Sequence, residues 1–247
     1  MVTNDPRKES VVEGEMKIEV SKNGPYLVSG KIPISEQIIT VGEDGIPVEW
    51  RESKTYPAKE KCGLCRCGQS KSKPYCDGSH AKNNFDGTET ASNEPYLQKA
   101  KVLDGPEIKL TDAEDLCASA RFCHRAGDIW NLIPKSDYPK AKQVAIEESC
   151  DCPSGRLVVW DKKTSQPIEP SLKKSIGLIE DPQLSCSGPI WVRGSIPIKS
   201  ANGLVYEVRN RVTLCRCGKS ALKPFCDSSH FPEHRYKELL TRKQKQT

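Results

Sequence analysis

The sequence predicts an α+β fold made of two related halves with an unlike segment between them. Three observations carry this expectation. Two stretches return later in the chain, each first stretch reads as a short strand and each second as a cysteine-rich loop, and the residues between the copies hold both helix and strand signals.

Residues 24–34 return as 188–198 with seven of eleven positions identical, and residues 64–80 return as 214–230 with twelve of seventeen identical. The first shift is 164 and the second 150, so the first copy holds 14 extra residues between its strand and its loop. The Gly-Pro segments alternate and are bounded by Gly and Pro, the pattern of an edge or short strand. Residues 48–50 and 204–208 read as further strands. In the middle, Thr111-Asp112-Ala113-Glu114 is a capping box that predicts a helix start. A second helix is expected over 138–148, and Cys152-Pro153-Ser154-Gly155 turns into a strand over 156–160. The division that follows is 1–99, 100–180 and 181–247.

A chain of 247 residues accommodates one to three domains. With aromatics at only 6%, any single core is modest. Residues 1–10 are charged and carry no apolar stretch, so no secretory signal is expected. No apolar run approaches the ~20 residues that span a bilayer. The expectation is a cytoplasmic protein, or one dissolved inside an organelle, without membrane contact. In such a reducing compartment twelve cysteines point to metal rather than disulfides. The net charge of +5 is mild, and the basic residues crowd into 234–237 and 242–245. That reads as a solvated tail; it lacks the interleaved aromatics of a single-strand binder, so no nucleic acid is expected. There is no phosphate loop, dinucleotide fingerprint or nucleophile elbow, so an enzyme is not expected.

Both loops have the form Cys-x-Cys-x₈-Cys-x₃-His: Cys65, Cys67, Cys76 and His80, then Cys215, Cys217, Cys226 and His230. Two of the four histidines fall at the same place in this repeat, which scattered core histidines do not do. Three thiolates and an imidazole suit zinc or an iron–sulfur cluster. Structural zinc sites usually begin Cys-x₂₋₄-Cys, and Cys-x-Cys is tight for one ion. The Cys-x₃-His half is an i, i+4 pair, and a helix starting near Asp77 would turn its positive end toward an anionic cluster.

The run Cys-Arg-Cys-Gly-x-Ser followed by Lys-Pro-aromatic-Cys-Asp-Gly-Ser-His resembles the CDGSH iron–sulfur domain of the mitoNEET (NEET) family. The first copy matches throughout, and the second departs once, with Ser228 where the family has Gly. The resemblance implies a [2Fe–2S] cluster in each copy, with Cys65 and Cys67 on one iron and Cys76 and His80 on the outer one. It also implies a shared β-cap, which in a tandem chain copies the family's two-fold dimer and leaves the chain monomeric.

In the middle segment, five residues separate Cys117 from Cys123, and Cys152 precedes Pro153. This resembles a divergent single-cluster ferredoxin domain in which Ala120 occupies the middle cysteine's position. A [3Fe–4S] cluster on three cysteines is one expectation. A [4Fe–4S] cluster with Cys150 or His124 as fourth ligand is the other. A four-cysteine zinc site from Cys117, Cys123, Cys150 and Cys152, and cysteines without metal, are the remaining readings. Cys62 and Cys186 match nothing in the other copy and read as packed thiols. Electron transfer is the first functional expectation, with redox proteins as partners. Cluster storage and transfer to apo-proteins is the second, and a zinc-stabilised binding module the third.

Overall fold

The computed structural model describes residues 15–235 and Lys237. The charged start over 1–10 and the basic cluster over 242–245 lie outside the described residues. Five strands open the chain: β1 (Lys17–Val20), β2 (Tyr26–Ser29), β3 (Ile34–Val41), β4 (Pro47–Tyr56) and β5 (Lys61–Leu64). The first cysteine loop follows and ends in the single turn α1 (Ser79–Lys82). Then come α2 (Tyr96–Lys99), β6 (Lys101–Asp104), β7 (Ile108–Asp112), α3 (Ile129–Leu132), α4 (Pro139–Cys150), β8 (Leu157–Asp161) and β9 (Pro167–Ile168). The last strands are β10 (Ser175–Asp181), β11 (Cys186–Arg193), β12 (Ile198–Lys199) and β13 (Arg211–Leu214), the last leading into the second cysteine loop.

The two copies exchange strands. One sheet has the order β12-β1-β2-β5 and the other β13-β11-β10-β3-β4. Within each copy the Gly-Pro strand pairs antiparallel with the strand before it and with the strand that delivers the cysteines. The strand that follows, however, crosses to the other sheet. Ile34 of β3 sits opposite Ile176 of β10, and Ile198 of β12 sits opposite Ile18 of β1, both in parallel register. The shared core contains matched residues from the two copies, Ile18 with Ile176, Val28 with Val192, Ile34 with Ile198 and Leu64 with Leu214. Neither copy can bury its apolar face alone, so the composite β-cap follows from apolar burial.

The extra residues of the first copy build the long β3–β4 hairpin. Its outer strand carries Glu49, Arg51, Glu52 and Lys54, charges that blunt an exposed sheet edge. The insert has its own sheet, β6-β7-β8-β9, and its own core around Ile108, Leu110, Ile129, Ile133, Ala145, Leu157 and Val159. It docks on the cap through an aromatic cluster in which Trp50 lies 4.7 Å from Phe122 and 4.9 Å from Trp191.

Several sequence expectations need correction. The Gly-Pro strands are interior, not edge. Pro189 is accommodated because the β10–β11 register shifts between Leu178 and Glu180. Thr111 to Glu114 opens no helix: Thr111 lies within β7 and turns its hydroxyl to the carbonyl of Val158 and to Tyr96, leaving only a 3₁₀ turn over Glu114–Leu116. Residues 204–208 make one bridge, Lys199 to Val205, because β12 offers only two residues to pair with. The boundary at 180/181 also moves, since β10 pairs with β3 and β11 and so belongs to the cap. The strand at 48–50 lies within β4, α4 covers 138–148 to within a residue, and β8 covers 156–160 likewise.

Candidate metal centres

Each cysteine loop is fixed by the same set of hydrogen bonds. The amide N–H of Cys65 donates to Pro74 O and that of Cys76 to Gly63 O; the second copy repeats this with Cys215 to Pro224 and Cys226 to Thr213. The hydroxyl of Ser70 donates to Tyr75 O, and that of Ser220 to Phe225 O. The arginine between each cysteine pair is buried and anchors the loop to its own copy. Arg66 bonds the carbonyls of Ser21 and Gly87, and Arg216 those of Gly188 and Ile179. Burying an arginine is tolerable only with such partners.

These loops present their donors in pairs. Cys65 Sγ lies 3.8 Å from Cys67 Sγ, and Cys76 Sγ lies 3.3 Å from His80 Nδ1. In the second copy the same spacings are 3.7 and 3.4 Å. Two thiolates on one tetrahedral ion, with bonds of about 2.3 Å, stand about 3.8 Å apart. Each pair therefore has the spacing of two ligands on one metal atom. Among the described residues, no three His, Cys, Asp or Glu side chains gather closely enough to hold a single ion. Two pairs per loop fit a two-iron cluster better than one zinc. Backbone N–H groups point at the sulfurs as well: Gln69 to Cys67, Gly78 to Cys76 and Lys219 to Cys217.

No helix dipole supports the sites. α1 is one turn long, and residues 228–230 form only a turn, stopped by Pro232. In the first loop the Asp77 carboxylate accepts from the side chain of Ser79 and from the N–H groups of Lys71 and Ser79, which holds it far below the usual carboxylate range.

The second site is the more enclosed. Burial, with Arg216 nearby, pushes the His230 imidazole down to about 4. The Cys217 thiol donates to Cys215; with N–H groups of Ser220 and Gly218 adding, Cys215 is held down at about 6, and Cys217 is pushed up. Burial pushes Cys226 up. Cys186 donates its S–H to the carbonyl of His230, and Cys62 packs against the shared core.

The two loops meet back to back. A Cβ on Gly68 would stand 2.6 Å from Cys217 O, and one on Gly218 the same 2.6 Å from Cys67 O. Both glycines have positive φ, 76° and 78°. Only glycine permits this conformation and this approach together.

In the insert, Cys117, Cys123 and Cys152 line one small pocket, together with Ala120, Pro153 and Arg156. Burial raises the Cys123 thiol, with the neighbouring sulfurs of Cys152 and Cys117 adding to it. Neither of the two further candidates lines this cavity: Cys150 faces the carbonyl of Ile168, and the His124 ring pairs with Asp128 and stacks near Trp130. Ala120 also belongs to the apolar cluster of Ile39, Phe122, Ile179 and Trp191, so the position that lacks a cysteine serves the docking of the insert. Sequence reasoning missed Tyr26, whose hydroxyl crosses between the copies to Cys215 O at 2.9 Å and Pro224 O at 3.0 Å.

No helix among the described residues is long and apolar enough to cross a membrane. Comparison with curated proteins and with solved structures found no match. Family models do match. Residues 23–81 and 187–231 each fit the iron-binding zinc finger of CDGSH type, and residues 103–162 fit a divergent 4Fe-4S mono-cluster domain. On these matches the chain is an iron–sulfur protein built as a tandem of CDGSH domains around a divergent mono-cluster domain.

Proposed function

We propose that this protein is a one-electron carrier with a [2Fe–2S] cluster in each Cys₃His loop and a third cluster in the insert. Cys65, Cys67, Cys76 and His80 hold the first, and Cys215, Cys217, Cys226 and His230 the second. Cys117, Cys123 and Cys152 hold the third. The observation that carries the reading is the contact of Gly68 and Gly218 with the opposite loop, which sets the two paired-donor loops back to back. A bound cluster supplies reversible one-electron chemistry, and histidine ligation raises its potential relative to cysteine alone. The protein's own part is to hold the donors in pairs, to direct N–H groups at the sulfurs and to limit water. Such hydrogen bonds favour the reduced state. In this reading the chain is a carrier and not an enzyme, and it works as a monomer, because β3 and β12 already supply the exchanged strands.

With three cysteines on one cavity and neither Cys150 nor His124 lining it, a [3Fe–4S] cluster is the form proposed for the insert. Iron and sulfide analysis with EPR tests this: about seven irons per chain, and a signal before any reductant, are expected. Four irons and a silent oxidised spectrum would remove the third cluster. A second reading, cluster donation to apo-proteins, is favoured by the open hollow that His80 lines with Lys22, Asn84 and Asp86. Mixing with an apo-ferredoxin separates the two, since donation moves iron and electron transfer does not.

A further inference from the structure

Within the Cys-Asp-x-Ser-His stretch the two loops differ at one residue, Gly78 in the first and Ser228 in the second. Both positions have left-handed backbone, φ 85° and 71°. That conformation is costly for serine and free for glycine. The surroundings show what the serine gains. Its hydroxyl donates to the carbonyl of Cys117 at 2.6 Å and accepts from the hydroxyl of Ser119 at 2.7 Å. The same insert loop is held down by the buried ion pair of Arg121 with Asp181, at 2.7 Å. At Gly78, by contrast, a Cβ would meet nothing within 4 Å.

We propose that Ser228 is a coupling residue: it joins the middle cysteine loop to the second Cys₃His site as one electronic unit and leaves the first site as the one open to partner proteins. The proposal rests on the carrier reading. From Cys117 Sγ to Cys226 Sγ every link is covalent except one hydrogen bond of 2.6 Å. When the two sites exchange an electron, iron in one is oxidised and iron in the other reduced. No bond breaks and no proton moves. The outside reductant and oxidant are one-electron carrier proteins.

The test uses the full chain loaded with iron and sulfide. Ser228→Gly places in the second loop the residue that the first loop already holds, so the backbone is kept. The wild type is expected to show spin–spin splitting between the middle signal and the reduced second site, and slow-phase bleaching of the second site by a ferrous chelator at pH 8. In Ser228→Gly the splitting weakens and the slow phase quickens about fivefold, the factor that one hydrogen bond of ordinary strength carries. Gly78→Ser, which gives the first loop a hydroxyl without a partner, changes neither. Unchanged splitting and unchanged bleaching in Ser228→Gly overturn the proposal. If that variant loses iron on preparation, Ser228→Ala takes its place; it removes the hydroxyl, and with it the bonds to Cys117 and Ser119, and keeps a side chain on the same left-handed backbone. The same direction is expected, and no change is again a refutation. A wild type without middle-site iron removes the third cluster from the carrier reading and overturns this proposal with it, and the iron count shows this before any variant is made.

Discussion

The first and second Cys₃His loops are nearly the same object in different surroundings. Their donor spacings agree to within about 0.1 Å, and their internal hydrogen bonds correspond one for one at the cysteine amides and at Ser70 and Ser220. Yet the first loop has an open hollow beside His80, whereas the second is covered by Cys186 and the insert loop from Cys117 to Arg121. The ligand set fixes which cofactor fits. The residues packed over it fix how much water and which neighbours it meets.

Removing ligands should break the comparison most completely. Cys76→Ser and Cys226→Ser should each cost about two irons from their own loop and leave the other loop's visible absorbance in place. Loss of both signals from either single variant would show that the loops load only together. Cys117→Ser and Cys152→Ser should remove the resting EPR signal and leave both Cys₃His signals.

The contact between the loops comes next. Gly218→Ala must relieve a 2.6 Å approach to Cys67 O and adopt φ 78°. A loss of about 2–4 kcal/mol in denaturant unfolding is expected. Gly78→Ala, equally left-handed but facing open space, should cost only about 1–2 kcal/mol. Equal losses would mean that the loops do not press on each other.

Acid should test the second site in the metal-free protein. The folded chain holds His230 neutral, with its pKa down at about 4 against 6.5 ordinarily. The unfolded chain therefore binds more protons in that window. The stability this contributes is full above about pH 6.5 and is lost as pH falls toward about 4. His230→Gln should flatten the fall of Tm over that range. An unchanged slope would assign the acid sensitivity elsewhere.

The smallest effect expected is that of Tyr26→Phe. It removes the hydroxyl shared by Cys215 O and Pro224 O, at about 1–2 kcal/mol. The counterpart in the other copy is Ile190, which has no hydroxyl, so only the second loop should loosen and bleach faster.

Much of this was legible in the sequence. The repeat, the two motifs, the helix over α4 and the strand β8 are local patterns, and local patterns survive folding. The strand exchange was not legible, because Ile-Pro-Ile is identical in both copies and carries no mark of which sheet it joins. The capping box failed because Thr111 spends its hydroxyl across strands on Val158 O, a partner 47 residues away. The helix expected near Asp77 is there only as the single turn α1 in the first copy, and the second copy keeps just a turn before Pro232. Ser228 read as a departure from a glycine pattern; its reason lies in Cys117, 111 residues distant, which no spacing rule reaches.

The strand exchange has one further consequence. In a homodimer each substitution is written twice, on both sides of the two-fold axis, so a residue that helps one face must be tolerated on the other. Here β3 and β12 make the same exchange inside a single chain. Each half is then inherited separately, and Tyr26 can differ from Ile190, and Gly78 from Ser228, without a compromise between them. Fusion turns a symmetric scaffold into one whose two ends can specialise.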